Sequence, residues 1–345
     1  MDRVSMDRVL KQPSDVTLAW LQHVFGDMSV RRFSVAQDQS TNACLARIVV
    51  ECAPQPAPLR LFLKMGPGGG LFNPDSEYRY YTHDYVDVPS APIPRCYHAA
   101  FEAATGAYHL LLEDLSATHC DNRDVPPVPA YGLAVAQAMA VLHARWWGQA
   151  PLPSQAQIEA SVAQPCLGLE SLIEAICPMP EARWTPLIRA LFARYPEALA
   201  RRTHDPRGFT LIHGDPNPTN ILSPKVGVGL VYLIDRQPFT WSLVTWLGVS
   251  DIAALMVHWW DVDMRRAAER SVVRAYVDAL SAHGIREYAF DQAWEDYRLC
   301  AAQSVLTVAL WCVRRETRES MRWLWLGQLR KAMTAMDDLR CVELW

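Results

Sequence analysis

The stretch Leu211–Leu222, LIHGDPNPTNIL, followed shortly by Val231–Gln237, VYLIDRQ, sets the carboxylates of Asp215 and Asp235 and the amide of Asn220 in a strand-and-turn context. Thr210–Ile212 reads as a short strand. Gly214 is the small turn residue that leaves it just before Asp215, and Asn220 comes five residues later, ahead of the apolar pair Ile221–Leu222. Pro216 and Pro218 restrict the loop and reduce the entropy lost when its side chains are held in one arrangement. A second strand, Leu230–Ile234, ends on Asp235, a rigid place from which to project a carboxylate. Taken singly, each of these residues is equally well a turn cap or an exposed polar group. Together they are what phosphoryl transfer to an alcohol needs: a carboxylate to hold the hydroxyl and accept its proton, and oxygen ligands for a magnesium ion.

This stretch resembles the catalytic and metal loops of the aminoglycoside phosphotransferase and choline-kinase-like small-molecule kinases, relatives of the protein kinases in fold. Their pattern is roughly HGDxHxxN, then a hydrophobic strand and IDW or IDF. His213, Gly214, Asp215, Asn220, Ile234 and Asp235 match it. The resemblance implies that Asp215 is the catalytic base, that His213 supports its loop, and that Asn220 and Asp235 are the Mg2+ ligands. Two positions depart from the pattern. Asn217 stands where many relatives have a second histidine. Arg236 replaces the usual aromatic residue, and is expected either to alter packing or to add positive charge near the phosphates.

Further upstream, Leu59–Met65 (LRLFLKM) reads as a strand carrying Lys64, and Glu77 lies thirteen residues on in a helix-like segment, SEYRYY. The resemblance gives Lys64 the α- and β-phosphates and Glu77 the task of holding its ammonium. Asp75, shorter and next to Pro74, is the weaker rival. Between the first two strands the related families often carry glycine and serine. Here Ser40, Thr41 and Asn42 are the candidate phosphate donors, with no glycine to permit close approach. GPGGG at Gly66–Gly70 lies on the wrong side of Lys64 for that role, lacks the lysine and hydroxyl of a P-loop, and reads as a flexible connection. LLLEDLS at Leu110–Ser116 resembles the kinase hinge, where backbone atoms near Glu113 and Leu115 would bond a purine edge. Asp251 in GVSDIAAL matches a further landmark and is expected to brace the catalytic region or cap the next helix, not to bind metal. His143 and the neighbouring tryptophans read as structural.

Up to about residue 118 short strands dominate, and beyond it long helical patterns take over. That pattern suggests a small strand-rich part joined to a larger helical one, and the resemblance implies an α+β, bilobal, protein-kinase-like fold with a small β-rich N-terminal nucleotide-binding lobe (1–115) and a large, mainly helical catalytic and substrate-binding lobe (116–345). A net charge of -4, from 33 basic and 37 acidic residues, speaks against a general nucleic-acid binder. The nine cysteines are scattered without a CxxC pair and are expected to be buried and reduced. No segment approaches the ~20 apolar residues of a membrane span, and the charged N-terminus is not a signal peptide, so no membrane insertion and a cytoplasmic location are expected. ATP and Mg2+ are the expected cofactors and a small-molecule alcohol the partner, with a homodimer left open. Asp261 and Asp263 would suit a cationic acceptor and the arginines of CVRRETRES an anionic one; both groups are equally well exposed helix charges. The competing functions are an inactive kinase-like nucleotide binder and a metal-dependent phosphoester hydrolase.

Overall fold

A computed structural model describes residues 8–38, 43–68, 74–123, 127–236 and 244–345. In chain order its elements are α1 (Leu18–Phe25), β1 (Ser29–Asp38), β2 (Cys44–Ala53), β3 (Leu59–Gly66), α2 (Ser76–Arg79), β4 (Cys96–Glu102), β5 (Ala107–Glu113), β6 (His119–Asp121), α3 (Pro129–Trp146), α4 (Gln155–Ile176), α5 (Thr185–Arg202), β7 (Phe209–Leu211), β8 (Ile221–Pro224), β9 (Tyr232–Leu233), β10 (Thr245–Leu247), α6 (Val249–Trp259), α7 (Val262–Ala282), α8 (Phe290–Leu310), α9 (Arg315–Ser320) and α10 (Arg322–Asp338). The chain divides into two units. The first contains Met1–Cys120 with the later segments Pro224–Gly227 and Tyr232–Leu243, and the second the remainder.

The first unit is built on an antiparallel sheet in the order β1-β2-β3-β5-β4. Strand alternation decides its two faces. Ala46, Ile48 and Val50 of β2 and Leu61, Leu63 and Met65 of β3 all point to one face, where Trp20, Leu21 and Phe25 of α1 cover them. Lys64, between Leu63 and Met65, therefore projects from the opposite face. Helix α1 starts at Leu18 because the Thr17 side chain accepts the Trp20 amide. The helix-like segment that carries Glu77 is α-helical only as α2 and continues as a π-helical turn, Tyr80–Asp84.

The second unit is helical around α8, which packs against α4, α6 and α10. Pro186 falls in the first turn of α5, where a missing amide costs little, whereas Pro165 and Pro196 are inside α4 and α5. All nine cysteines are unpaired thiols, but Cys120, Cys166 and Cys177 are exposed, which corrects the expectation that all are buried. Among the described residues, no helix is long and apolar enough to cross a membrane.

Burial depresses the pKa of two histidines, His109 in the first unit and His258 in the second. His109 Nδ1 accepts the Leu10 amide at 2.9 Å, so its proton is on Nε2, which donates to His98 Nδ1 at 3.0 Å. Burial, reinforced by His98, lowers its pKa to about 3. Burial lowers His258 to about 4, although its Nε2 donates to Ser304 O at 3.2 Å. Below pH 6.5 the unfolded chain protonates both while the folded protein does not. Each thus contributes stability that is complete above pH 6.5 and is lost as pH falls, by about 1.4 kcal/mol per pH unit while the unfolded histidine alone is charged. Urea unfolding at pH 7.5 and pH 5 should show this loss. His258→Gln should reduce the pH slope by close to one proton, and an unchanged slope would contradict the assignment.

Candidate active site

In the first unit, the Lys64 ammonium is 2.9 Å from Glu77 Oε1 and 2.8 Å from Oε2, and also pairs with Asp235 Oδ1. Glu77, not Asp75, is the partner from α2. Burial alone would lower the Lys64 pKa, but the charges of Glu77 and Asp235 outweigh it and hold the group above its ordinary value. The Tyr108 hydroxyl donates to Glu77 Oε2 at 2.6 Å. Tyr108 reaches this position because its ring lies over Gly66, where a Cβ would come 2.1 Å from the ring. The first glycine of GPGGG is thus the end of β3 and a close-packing position, not part of a flexible connection. Asp235 has φ +62, the left-handed region that non-glycine residues adopt mainly where the surroundings impose it.

In the second unit the HGDPNPTN loop is fixed from both sides. Gly214 has φ +82, which only glycine takes readily. With the chain so turned, the His213 and Gly214 amides donate to Asp251 Oδ2 at 2.7 Å and Oδ1 at 2.9 Å. Asp251, at the start of α6, is 1% exposed and also bonds His143 Nε2 at 3.2 Å, while His143 Nδ1 meets the Tyr276 hydroxyl at 2.9 Å. Burial would raise the Asp251 pKa, yet the hydrogen bond and charge of His143 and the nearby His213 and Gly214 hold it below its usual value. His213 Nδ1 in turn accepts the Asp215 amide at 3.3 Å. Asp251 therefore braces the loop, and His143 braces Asp251.

The Asp215 carboxylate is oriented by two amides. Asn217 Nδ2 donates to Oδ1 at 3.0 Å, and Asn220 Nδ2 to Oδ2 at 3.2 Å and to the Asp215 carbonyl at 3.0 Å. Asn217 Oδ1 meanwhile accepts the Thr219 amide at 2.9 Å and caps the turn Pro218–Asn220. Asn217 holds Asp215 from the place where the resembled pattern has a histidine, a role the sequence reading did not assign. Its signal was local: an asparagine two residues before a threonine at a turn start.

Asp251→Ala would leave the two buried loop amides and His143 without their acceptor. The expected cost is about 3 kcal/mol or more, read as a lowered urea midpoint. A midpoint within experimental error of the parent would show that the brace does not hold the loop.

No family model matches the chain, and no curated protein matches it in sequence. Among solved structures, the spectinomycin phosphotransferase APH(9)-Ia, in complex with ADP and spectinomycin, is similar with a TM-score of 0.51 at 10% identity, covering 92% of this chain and 98% of that one. The GDP complex of aminoglycoside 2'-phosphotransferase-IIIa gives 0.50 at 11% identity, covering 94% and 97%. The fold is that of the aminoglycoside phosphotransferases. It is protein-kinase-like, with a β-rich N-terminal part and a large helical C-terminal one.

Within this aminoglycoside phosphotransferase fold, several expected site residues have defined partners. The Glu113 amide donates to Arg95 O at 2.8 Å and the Leu115 carbonyl accepts the Thr118 amide at 3.0 Å, so these two hinge atoms are engaged within the unit. Ser40, Thr41 and Asn42 lie outside the described residues. Arg236 is fully buried and pairs with Asp84 at 2.8 Å. Its side chain therefore packs inside the unit, with the Asp84 carboxylate beside it to balance its charge. Asp261 caps α7 by accepting the Asp263 amide, and Asp263 pairs with Arg266 at 3.1 Å. In the CVRRETRES cluster, Arg315 pairs with Glu319 and Arg318 with Glu174. These side chains thus have capping or ion-pair partners from their own or neighbouring helices.

Proposed function

We propose that the protein transfers the γ-phosphoryl group of ATP to a hydroxyl of a small molecule. The observation that carries this reading is the Asp215 carboxylate, each oxygen held by an asparagine amide on a loop clamped by Asp251, in an aminoglycoside phosphotransferase fold. A carboxylate so oriented presents its remaining lone pairs to an acceptor hydroxyl in one direction, positions that oxygen and takes its proton as the new bond to phosphorus forms. Lys64, kept charged by Glu77, binds the α- and β-phosphates. Backbone atoms near Glu113 and Leu115 would bond the purine edge.

Asn220 and Asp235 would hold Mg2+. Their oxygens are the hard donors this ion prefers, and it commonly takes one or two carboxylates together with substrate phosphates. Among the described residues, no group of three or more His, Cys, Asp or Glu side chains is arranged as an all-protein metal cage. When bound, the ion would neutralise charge on the transferring phosphates. Asp235, whose side chain is 33% exposed against 5% for Glu77, is the more accessible of the two carboxylates on Lys64 and so the one to share with a metal.

The acceptor belongs to the wide class of hydroxyl-bearing small molecules. The similar structures include a spectinomycin and an aminoglycoside phosphotransferase, so antibiotics of these types head the test panel. An ATP-consumption screen should add choline-like amines, macrolides, sterols, nucleosides and sugars. The expected result is ADP together with one acceptor heavier by a phosphate in mass spectrometry. ATP binding without any phosphorylated product across the panel would favour a nucleotide-binding role instead.

A further inference from the structure

Arg236 follows Asp235 directly, and it is buried in the first unit with a buried partner. Its Nη1 donates to Asp84 Oδ2 at 2.8 Å, Asp84 is 2% exposed, and the guanidinium lies over the Tyr80 ring, 5.7 Å from its centroid. Arg79 donates to the other Asp84 oxygen at 3.4 Å. The backbone on both sides of Asp235 is tied to the same short segment. The Tyr80 hydroxyl donates to Leu233 O at 3.0 Å, and Ser76 Oγ to Arg236 O at 3.5 Å. That segment, Ser76–Asp84, also carries Glu77. Asp235, between these ties, keeps its left-handed backbone.

We propose that Arg236 and Asp84 form a positioning latch that fixes the Asp235 carboxylate, in its left-handed conformation, relative to Lys64 and Glu77. The proposal rests on the phosphotransfer reading, in which Asp235 is a metal ligand. An aromatic residue at this position would be held by non-directional apolar contact and could slide along the segment. A buried guanidinium resists such sliding, since displacement would pull it away from the Asp84 carboxylate in surroundings shielded from water. The hydrogen-bonded ion pair therefore selects one register of the Asp235 segment on Ser76–Asp84. Arg236 and Asp84 touch neither substrate nor metal and act through Asp235.

The test compares Arg236→Met, Asp84→Asn, Arg236→Lys and the double variant Asp84→Asn/Arg236→Met, with Asp235→Ala as reference. The double variant removes both members of the buried pair and leaves only the half-exposed Arg79 without its Asp84 contact, which guards against simple misfolding; circular dichroism and thermal melts would report it. Calorimetry measures ADP affinity with and without Mn2+, a readout separate from turnover. Wild-type protein should bind ADP more tightly with Mn2+ than without it, and Asp235→Ala should lose that gain. In the folded double variant the Mn2+-dependent gain should fall at least tenfold, with metal-free ADP affinity within twofold of wild type. Arg236→Lys should recover part of the gain. A folded double variant that keeps the full Mn2+-dependent gain overturns the latch alone. A wild-type protein with no Mn2+-dependent gain overturns the metal role of Asp235 and the latch with it.

Discussion

Asp215→Asn is expected to lower kcat by about 10²- to 10⁴-fold while ADP affinity stays within a few-fold. The substitution keeps the side chain's size and removes its capacity to take a proton. It also has a geometric consequence specific to this loop. Both carboxylate oxygens accept from amide donors, Asn217 Nδ2 and Asn220 Nδ2. An amide has only one acceptor oxygen, so its nitrogen must face one of these donors. The loop should therefore lose one orienting hydrogen bond as well as the base, and KM for the acceptor should rise modestly. Steady-state kinetics with product identification, alongside ADP calorimetry, separates the two effects. Full product formation by the variant would remove Asp215 from the role of base.

The second large effect is on stability. Lys64→Met leaves Glu77, 4% exposed, without the cation that balances its charge. Breaking a buried pair from one side costs about 3–5 kcal/mol, because the remaining charge stays desolvated. Asp235 adds to the cost, since it pairs with the same ammonium and would then repel Glu77. The sign of the pH dependence follows. In the variant, burial and Asp235 raise the Glu77 pKa above its unfolded value, so the folded state holds a proton that the unfolded state releases. The deficit should thus shrink as pH falls from 7 toward the unfolded glutamate value and grow as pH rises. Urea midpoints at pH 5 and pH 8 test this, with Lys64→Met/Glu77→Gln expected to recover part of the loss. Equal deficits at both pH values would show that Glu77 is not the charge left stranded.

Local patterns carried a large part of this architecture. The alternation Leu61, Leu63, Met65 places Lys64 on the opposite face of β3 from the apolar core, and that parity is readable from the residues alone. The choice of Glu77 over Asp75 rested on side-chain length and position in α2, both local properties. The HGDPNPTN loop is local too, since its glycine, prolines and asparagines determine its turns within a few residues. Helix ends were less legible, because one hydrogen bond, such as that from the Trp20 amide to Thr17, moves a boundary by several positions.

Contacts distant in sequence were not legible. Nothing near Glu77 announces Tyr108, whose hydroxyl reaches it only because Gly66 leaves room for the ring. Nothing near Arg236 announces Asp84, 152 residues away, so its charge could be read as facing phosphate or packing inward with equal justice. The sequence by itself determined the fold class, the catalytic-type loop and the face of the sheet that carries Lys64, because strand parity and turn chemistry act over a few residues. Only the tertiary structure decided that Asp235 pairs with Lys64 across 171 residues, that Asp251 clamps the loop amides, and that Arg236 is neutralised inside the protein. Those outcomes depend on which charges share a low-dielectric interior, and that is set by packing between segments far apart in the chain.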